Sequence, residues 1–368
     1  MGKGMVITMK ERNSNIELLR IILAMGVIAL HYNNPDMGGG LLYATGMNYY
    51  LLLFFENMSI CAVDVFLIIS GYYLCTSSRF SSLKAVRLLV QVIVMNLAAY
   101  GISLFLQIAR GDELNTVVLL KGLFLAILPN NYYVILYIGV YLLARYINLI
   151  FAALAEKKAL RRLLFLLLFL FSLEPTLVDL LSLLTKDSLA GLSMISISGS
   201  QSGYTIVNFL LMYCVGAYIR YVGIQHTDIK KSLTGYVLCV LVNVAVCLLR
   251  NVLQMDTTGI AWSYSNPFVI GEAAFLFLTF CNLSLGFVKP VNFFSASTFT
   301  VYLCHTWFVP YLGIERFAGG NTAVLLLHFL LSLLVIYGLC QIIFLVYSSV
   351  ENRVIKGALS YQEKRRKN

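Results

Sequence analysis

Residues 15–32 read NIELLRIILAMGVIALHY, an apolar run long enough to cross a bilayer that nevertheless carries a guanidinium at Arg20 and an imidazole at His31. At about 100° per residue, the eleven steps between them bring the helix round to within roughly 20° of its starting direction. The two polar heads therefore share one face, about 16 Å apart along the axis. Polar groups on one stripe of an apolar helix are costly in lipid and call for a polar lining. The plainer alternative is an Arg and a His snorkelling to opposite interfaces.

The rest of the chain extends this pattern. Of 368 residues, 60% are hydrophobic and 12% charged, and the mean hydropathy is +0.83. A soluble chain carries about a quarter charged residues, so the composition predicts an all-α, polytopic transmembrane helix bundle. About ten spans are predicted, at 16–34, 51–75, 85–109, 132–153, 162–184, 204–223, 232–250, 267–288, 295–314 and 322–347. The net charge of +10 could suggest nucleic acid, but its placement argues against that partner. With the N-terminus inside, 21 of the 27 Lys and Arg fall in inner segments and 5 in outer ones, Arg20 being the remainder. That split is what positive-inside sorting produces. Both termini are then expected in the cytoplasm.

One apolar segment, 117–128, is interrupted by Lys121 and Gly122 and is too short to span comfortably. It is expected as a re-entrant or interfacial piece, because counting it as a crossing would turn the basic cluster at 157–162 outward. The predicted organisation is a cytoplasmic leader (1–15), a membrane domain (16–348) and a basic cytoplasmic tail (349–368). The first span is expected to stay as an uncleaved anchor, since no small-residue cleavage site follows His31. The short charged tail is not expected to hold a further extracellular domain. The eight cysteines all fall within predicted spans, none in metal-type spacing, so they read as buried filler and no metal is expected.

Ionisable groups inside predicted spans are functional candidates by default, because each costs about 2.5 to 3.5 kcal/mol at mid-membrane. Besides Arg20 and His31 these include Glu56, Asp64, Glu174, Asp179, Glu272 and His305. Asp64 lies seven residues before Gly71, so both face one way, towards a close neighbour. It reads either as a partner for Arg20 or another buried cation, or as a site residue. Glu174 precedes Pro175, which implies a kink with a polar lining. His305 carries Thr298 on its face seven residues back. Tyr137 and Tyr141 form a stripe that mostly reads as packing, with Tyr137 kept as a weak candidate for the acceptor path.

Taken together, Arg-x10-His in the first span, DVFLIISGYYL (64–74), Lys84-x-x-Arg87 and VYLCH (301–305) resemble the integral-membrane acyltransferase family 3. The likeness runs from about residue 12 to residue 348. That family includes O-acetyltransferases of surface polysaccharides, exopolysaccharides and peptidoglycan. The resemblance implies a bacterial plasma-membrane enzyme that moves an acetyl group from cytoplasmic acetyl-CoA to a hydroxyl of a surface or exported glycan. It implies that Arg20 and His31 are needed for activity, and it favours contact of His305 with the site. Arg79, Lys84 and Arg87 then read as holding the CoA phosphates, although positive-inside sorting alone would also place them there. His31 is expected as general base or as acyl carrier, with Asp64 as the carboxylate that fixes its tautomer. The rival class is a transporter, flippase or polysaccharide polymerase, disfavoured by the lack of an internal repeat and of a large outer loop. A second rival is the other membrane-bound O-acyltransferase family, whose histidine normally lies late in the chain, with His305 as its counterpart here.

Overall fold

The computed structural model describes residues 14–77, 81–112, 114–154 and 156–367, with side chains through residue 354. Among the described residues every regular element is helical. In chain order the main helices are α1 (Ser14–Asn33), α2 (Met47–Ser59), α3 (Ala62–Leu74), α4 (Ser82–Arg110), α5 (Thr116–Ile127), α6 (Tyr132–Ala153) and α7 (Lys157–Leu168). They continue as α8 (Glu174–Thr185), α9 (Ile206–Val222), α10 (Ile229–Leu253), α11 (Pro267–Cys281), α12 (Lys289–Ser295), α13 (Thr298–Cys304) and α14 (Thr322–Lys367). Seven helical stretches among the described residues are long and apolar enough to cross a membrane, and α9 and α11 are shorter apolar helices. The protein is an all-α polytopic bundle.

Several spans read from hydropathy as single rods are broken. The second, 51–75, divides at Ile60 and Cys61 into α2 and α3. The fifth holds a π-helical turn at Phe169–Leu173 between α7 and α8. Pro175 lies two residues beyond that turn; it lacks an N–H and its ring crowds the carbonyl one turn back, so the helix widens there. The helix of the eighth stops at Cys281, short of the predicted end at 288. The ninth span, 295–314, is no continuous helix. It consists of the end of α12, the seven residues of α13, and 3-10 turns at His305–Trp307 and Val309–Tyr311. Ser297 and Thr298 turn their hydroxyls onto the carbonyls of Phe294 and Ser295, and Pro310 removes a donor, so the α-helical ladder cannot run through. The tenth span, by contrast, runs on as one helix through the basic tail to Lys367.

Segment 117–128 forms the twelve-residue helix α5, about 18 Å long against a hydrocarbon core of about 30 Å. The Tyr100 hydroxyl donates to Leu119 O at 2.8 Å and the Asn96 amide to Leu128 O at 3.1 Å, which fastens α5 and the chain beyond it along α4.

The chain divides into two compact units, residues 1–52 with 285–368, and residues 53–284. In the second, α3 and α9 touch backbone to backbone. A Cβ on Gly71 would lie 2.1 Å from Tyr213 O, and one on Gly216 would lie 2.2 Å from Ile68 O. Small residues at such a crossing let dispersion and polar contacts do what the hydrophobic effect cannot do in lipid. The Asp64 stripe anticipated from sequence faces this neighbour, for Asn208 of α9 donates to Asp64 Oδ1 at 3.0 Å. In the same unit α10 packs on α11, where Asn243 donates to Glu272 Oε1 at 2.6 Å. Along its 29 residues α4 buries only Ala85, Val92 and Met95, leaving an apolar surface suited to lipid.

In the first unit α1 is held at both ends. At its start, Ser14 N–H donates to Gly286 O and Leu285 N–H to Asn15 Oδ1. At its far end the Tyr32 hydroxyl donates to His328 Nδ1 of α14 at 2.9 Å, because His328 Nε2 must carry the proton it gives to Leu312 O.

Candidate active site

The first unit brings His31 and His305 into contact. His31 Nδ1 lies 2.9 Å from Val27 O, and His305 Nδ1 lies 2.9 Å from Val301 O, each ring reaching back one turn along its own helix. His305 Nε2 stands 3.1 Å from His31 Nδ1, with the rings edge-on, centroids 4.6 Å apart and planes at 75°.

Carbonyl oxygens only accept, so the neutral pair has one consistent proton arrangement. His305 carries its proton on Nδ1, directed at Val301 O, which makes its Nε2 an acceptor. His31 also carries its proton on Nδ1, shared between Val27 O and His305 Nε2. The Nε2 of His31 is then a bare lone pair. His305 is 2% exposed whereas His31 is half-buried, so the outer ring of the pair is the accessible one. The break in the ninth span creates this contact, since His305 sits where α13 gives way to a 3-10 turn.

Three turns along α1, the Arg20 guanidinium pairs with Glu17 at 3.6 Å, its side chain about one-third exposed. Glu17 is nearly buried, and its other oxygen accepts from Ser295 Oγ at 2.6 Å. Ser295 at the end of α12 thereby holds a carboxylate that in turn holds Arg20. Sequence reasoning passed over Glu17 and Ser295. The signal was present as Glu17-x-x-Arg20, a helical i,i+3 ion pair.

Two expectations about Asp64 are corrected. Arg20 takes Glu17 as its ionic partner, and Asp64 takes Asn208. The tautomer of His31 is set by Val27 O and His305, since its ring turns back onto the carbonyl one turn earlier in its own helix.

The other predicted site residues lie in the second unit. Lys84 and Arg87 occupy the first two turns of α4, not a loop, and both are exposed; Lys84 Nζ lies 4.9 Å from the centre of the Tyr141 ring. Arg79 lies outside the described residues. Tyr137 is half-buried and stacks on Tyr133, with centroids 6.1 Å apart and planes at 18°. Tyr141 is buried and its hydroxyl lies between the N–H and the carbonyl of Ser81. Glu174 accepts from Met194 N–H at 3.1 Å, tying the loop before α9 to the start of α8. The eight cysteines are unpaired, six of them buried and two half-buried. No cluster of three metal-ligating side chains occurs among the described residues.

A polytopic helical bundle thus holds, on its first helix, a buried carboxylate that fixes an arginine, and an accessible imidazole backed by a buried one. The profile of the acyltransferase domain matches residues 13–345, nearly the whole chain, and the protein belongs to acyltransferase family 3. It is therefore a membrane acyltransferase, which sets aside the transporter, flippase and polymerase alternatives. No curated protein and no solved structure gives a significant match.

Proposed function

We propose that the protein moves an acetyl group from acetyl-CoA to a hydroxyl of a cell-surface or exported polysaccharide, with His31 as the general base. The observation that carries this reading is the His31–His305 pair. It leaves one imidazole lone pair accessible and backs it with a second imidazole that accepts from the far side of the ring. His31 Nε2 removes the proton from the acceptor hydroxyl as the oxygen attacks the thioester carbonyl. The C–S bond then breaks, and the imidazolium returns its proton to the departing CoA thiolate. While charged, His31 donates from Nδ1 to Val27 O and His305 Nε2, both acceptors already in place, so little reorganisation accompanies the step.

Arg20 is the donor-side cation in this scheme. An extended pantetheine arm is comparable in length to the roughly three turns of α1 between Arg20 and His31. Glu17 and Ser295 restrict where the guanidinium fork can point, which suits bidentate contact with a phosphate. Arg79, Lys84 and Arg87 are assigned to the remaining CoA phosphates. Lys84 contributes there as a point charge.

The test is transfer of labelled acetyl from acetyl-CoA to the polysaccharide fraction in membranes holding wild type or His31→Ala. The variant should be present at normal level and lose about 10² to 10⁴ in rate. Wild-type transfer by a well-expressed His31→Ala protein would defeat the assignment. A labelled acetyl-protein accumulating without acceptor would make His31 a carrier of the acetyl group rather than a base.

A further inference from the structure

The acyl-transfer chemistry leaves one large feature of the second unit unused, an open cleft of about 700 Å³ lined by both polar and apolar groups. That volume lies within the roughly 300–1,000 Å³ usual for small-molecule sites. One wall is the connection from α8 to α9, residues 186–205, and the other is residues 255–260, just beyond α10. Connections longer than about 12 to 15 residues that form only short 3-10 turns are uncommon in compact domains unless they carry function.

One wall carries an unusual backbone turn. Gln201 and Ser202, consecutive residues that both line the cleft, each have φ of 50°. Lys186 and Gln254, also left-handed, are the C-caps that end α8 and α10. Left-handed conformations of ordinary residues within a connection persist only where the surroundings impose them. Contacts hold this connection in place. Ser200 Oγ donates to Asp179, which also lines the cleft, Ser202 O accepts from Tyr264 N–H at 3.0 Å, and Glu174 holds Met194. The walls are thus built before any ligand arrives.

The lining chemistry is that of a polyol site. Asp179, Asp187 and Asp256 present carboxylates, while Ser188 and Ser200 stand among several hydroxyls that can both donate and accept. Beside the cleft, immediately after Gly203, Tyr204 is half exposed and lies between Tyr132 and Tyr264, with ring centroids 5.0 Å and 4.9 Å away. Such amphipathic rings suit the apolar face of a sugar. Three carboxylates face one ammonium, Lys186, in a chain whose net charge is +10. That balance admits neutral or amino sugars and repels uronate or phosphate groups. By the distribution of Lys and Arg, both walls fall on the face away from the basic segments, where an exported glycan arrives.

We propose that this cleft is the docking subsite for the acceptor, a run of neutral or amino-sugar residues of a polysaccharide. The proposal rests on the acetyl-transfer reading above. Its test uses the full chain in native membranes, labelled acetyl-CoA, and graded additions of the de-O-acetylated surface polysaccharide of the source cells. Asp187→Asn and Ser188→Trp change exposed rim residues, and Asp187→Lys reverses a charge there. Asp187→Asn should raise the apparent KM for polysaccharide about tenfold, the cost of one charged hydrogen bond, with the KM for acetyl-CoA unchanged. Asp187→Lys and Ser188→Trp should raise it further. An unchanged polysaccharide KM in all three would overturn the cleft and leave the acetyl-transfer reading standing. No transfer to polysaccharide by the wild type would defeat that reading, and the cleft assignment with it.

Discussion

His305 is the residue whose part in the site is most open to test. Its Nε2 is the acceptor behind the imidazole of His31, and a hydrogen bond to a charged group is worth about 1.5 to 3 kcal/mol. His305→Ala should therefore lower kcat by about 10- to 100-fold, with little change in the KM for acetyl-CoA. His305→Gln, whose amide oxygen can still accept, should recover part of that loss. Equal losses in Ala and Gln variants, or a rise in donor KM with kcat intact, would reduce His305 to a packing residue. At this scale the sequence singled out Arg20 and His31 as candidates, through their spacing on one apolar helix. The partner of His31 was not readable. Val27 lies one turn back and Val27 O is a backbone atom, while His305 lies 274 positions away, and no local pattern links the two histidines.

Among the elements, the crossing of α3 and α9 depends on two glycines. A methyl group on Gly216 would meet Ile68 O at 2.2 Å, and backbone cannot step aside as a flexible side chain can. Gly216→Ala should destabilise the protein by about 1 to 3 kcal/mol, seen as a lower melting midpoint in detergent. Gly101→Ala, inside α4 where a Cβ meets nothing within 4 Å, should be neutral or mildly stabilising. Matching midpoints for the two variants would contradict the close contact. The sequence placed Gly71 on the Asp64 stripe and so anticipated a near neighbour, but it could not name α9. Hydropathy also overstated helix continuity in the ninth span. An apolar average over 20 residues is blind to hydroxyls that bond backbone carbonyls and to a single missing N–H at Pro310.

For the whole molecule, topology decides whether a donor from the cytoplasm can meet an acceptor from outside. Both termini are expected inside, with 185–203 outside, from the 21-to-5 distribution of basic residues. Single cysteines at Ser188 and Ser360, in a background without the native eight, report this in intact cells. An impermeant thiol reagent should label Ser188→Cys and spare Ser360→Cys. Labelling of both, or of Ser360→Cys alone, would change the number of crossings and remove the inside-donor, outside-acceptor scheme.

Composition and periodicity determined, without coordinates, that this chain is a helical membrane protein and that its first helix carries a cation and an imidazole on one face. Those properties are local: lipid selects for apolar runs, and 3.6 residues per turn aligns what lies eleven apart. Only the tertiary structure decided that His31 meets His305, that Glu17 and Ser295 hold Arg20, and that Asp179, Asp187 and Asp256 line one cleft. Each of these joins segments far apart in the chain through hydrogen bonds a few ångströms long. The order of residues constrains such contacts only through the packing of the elements between them.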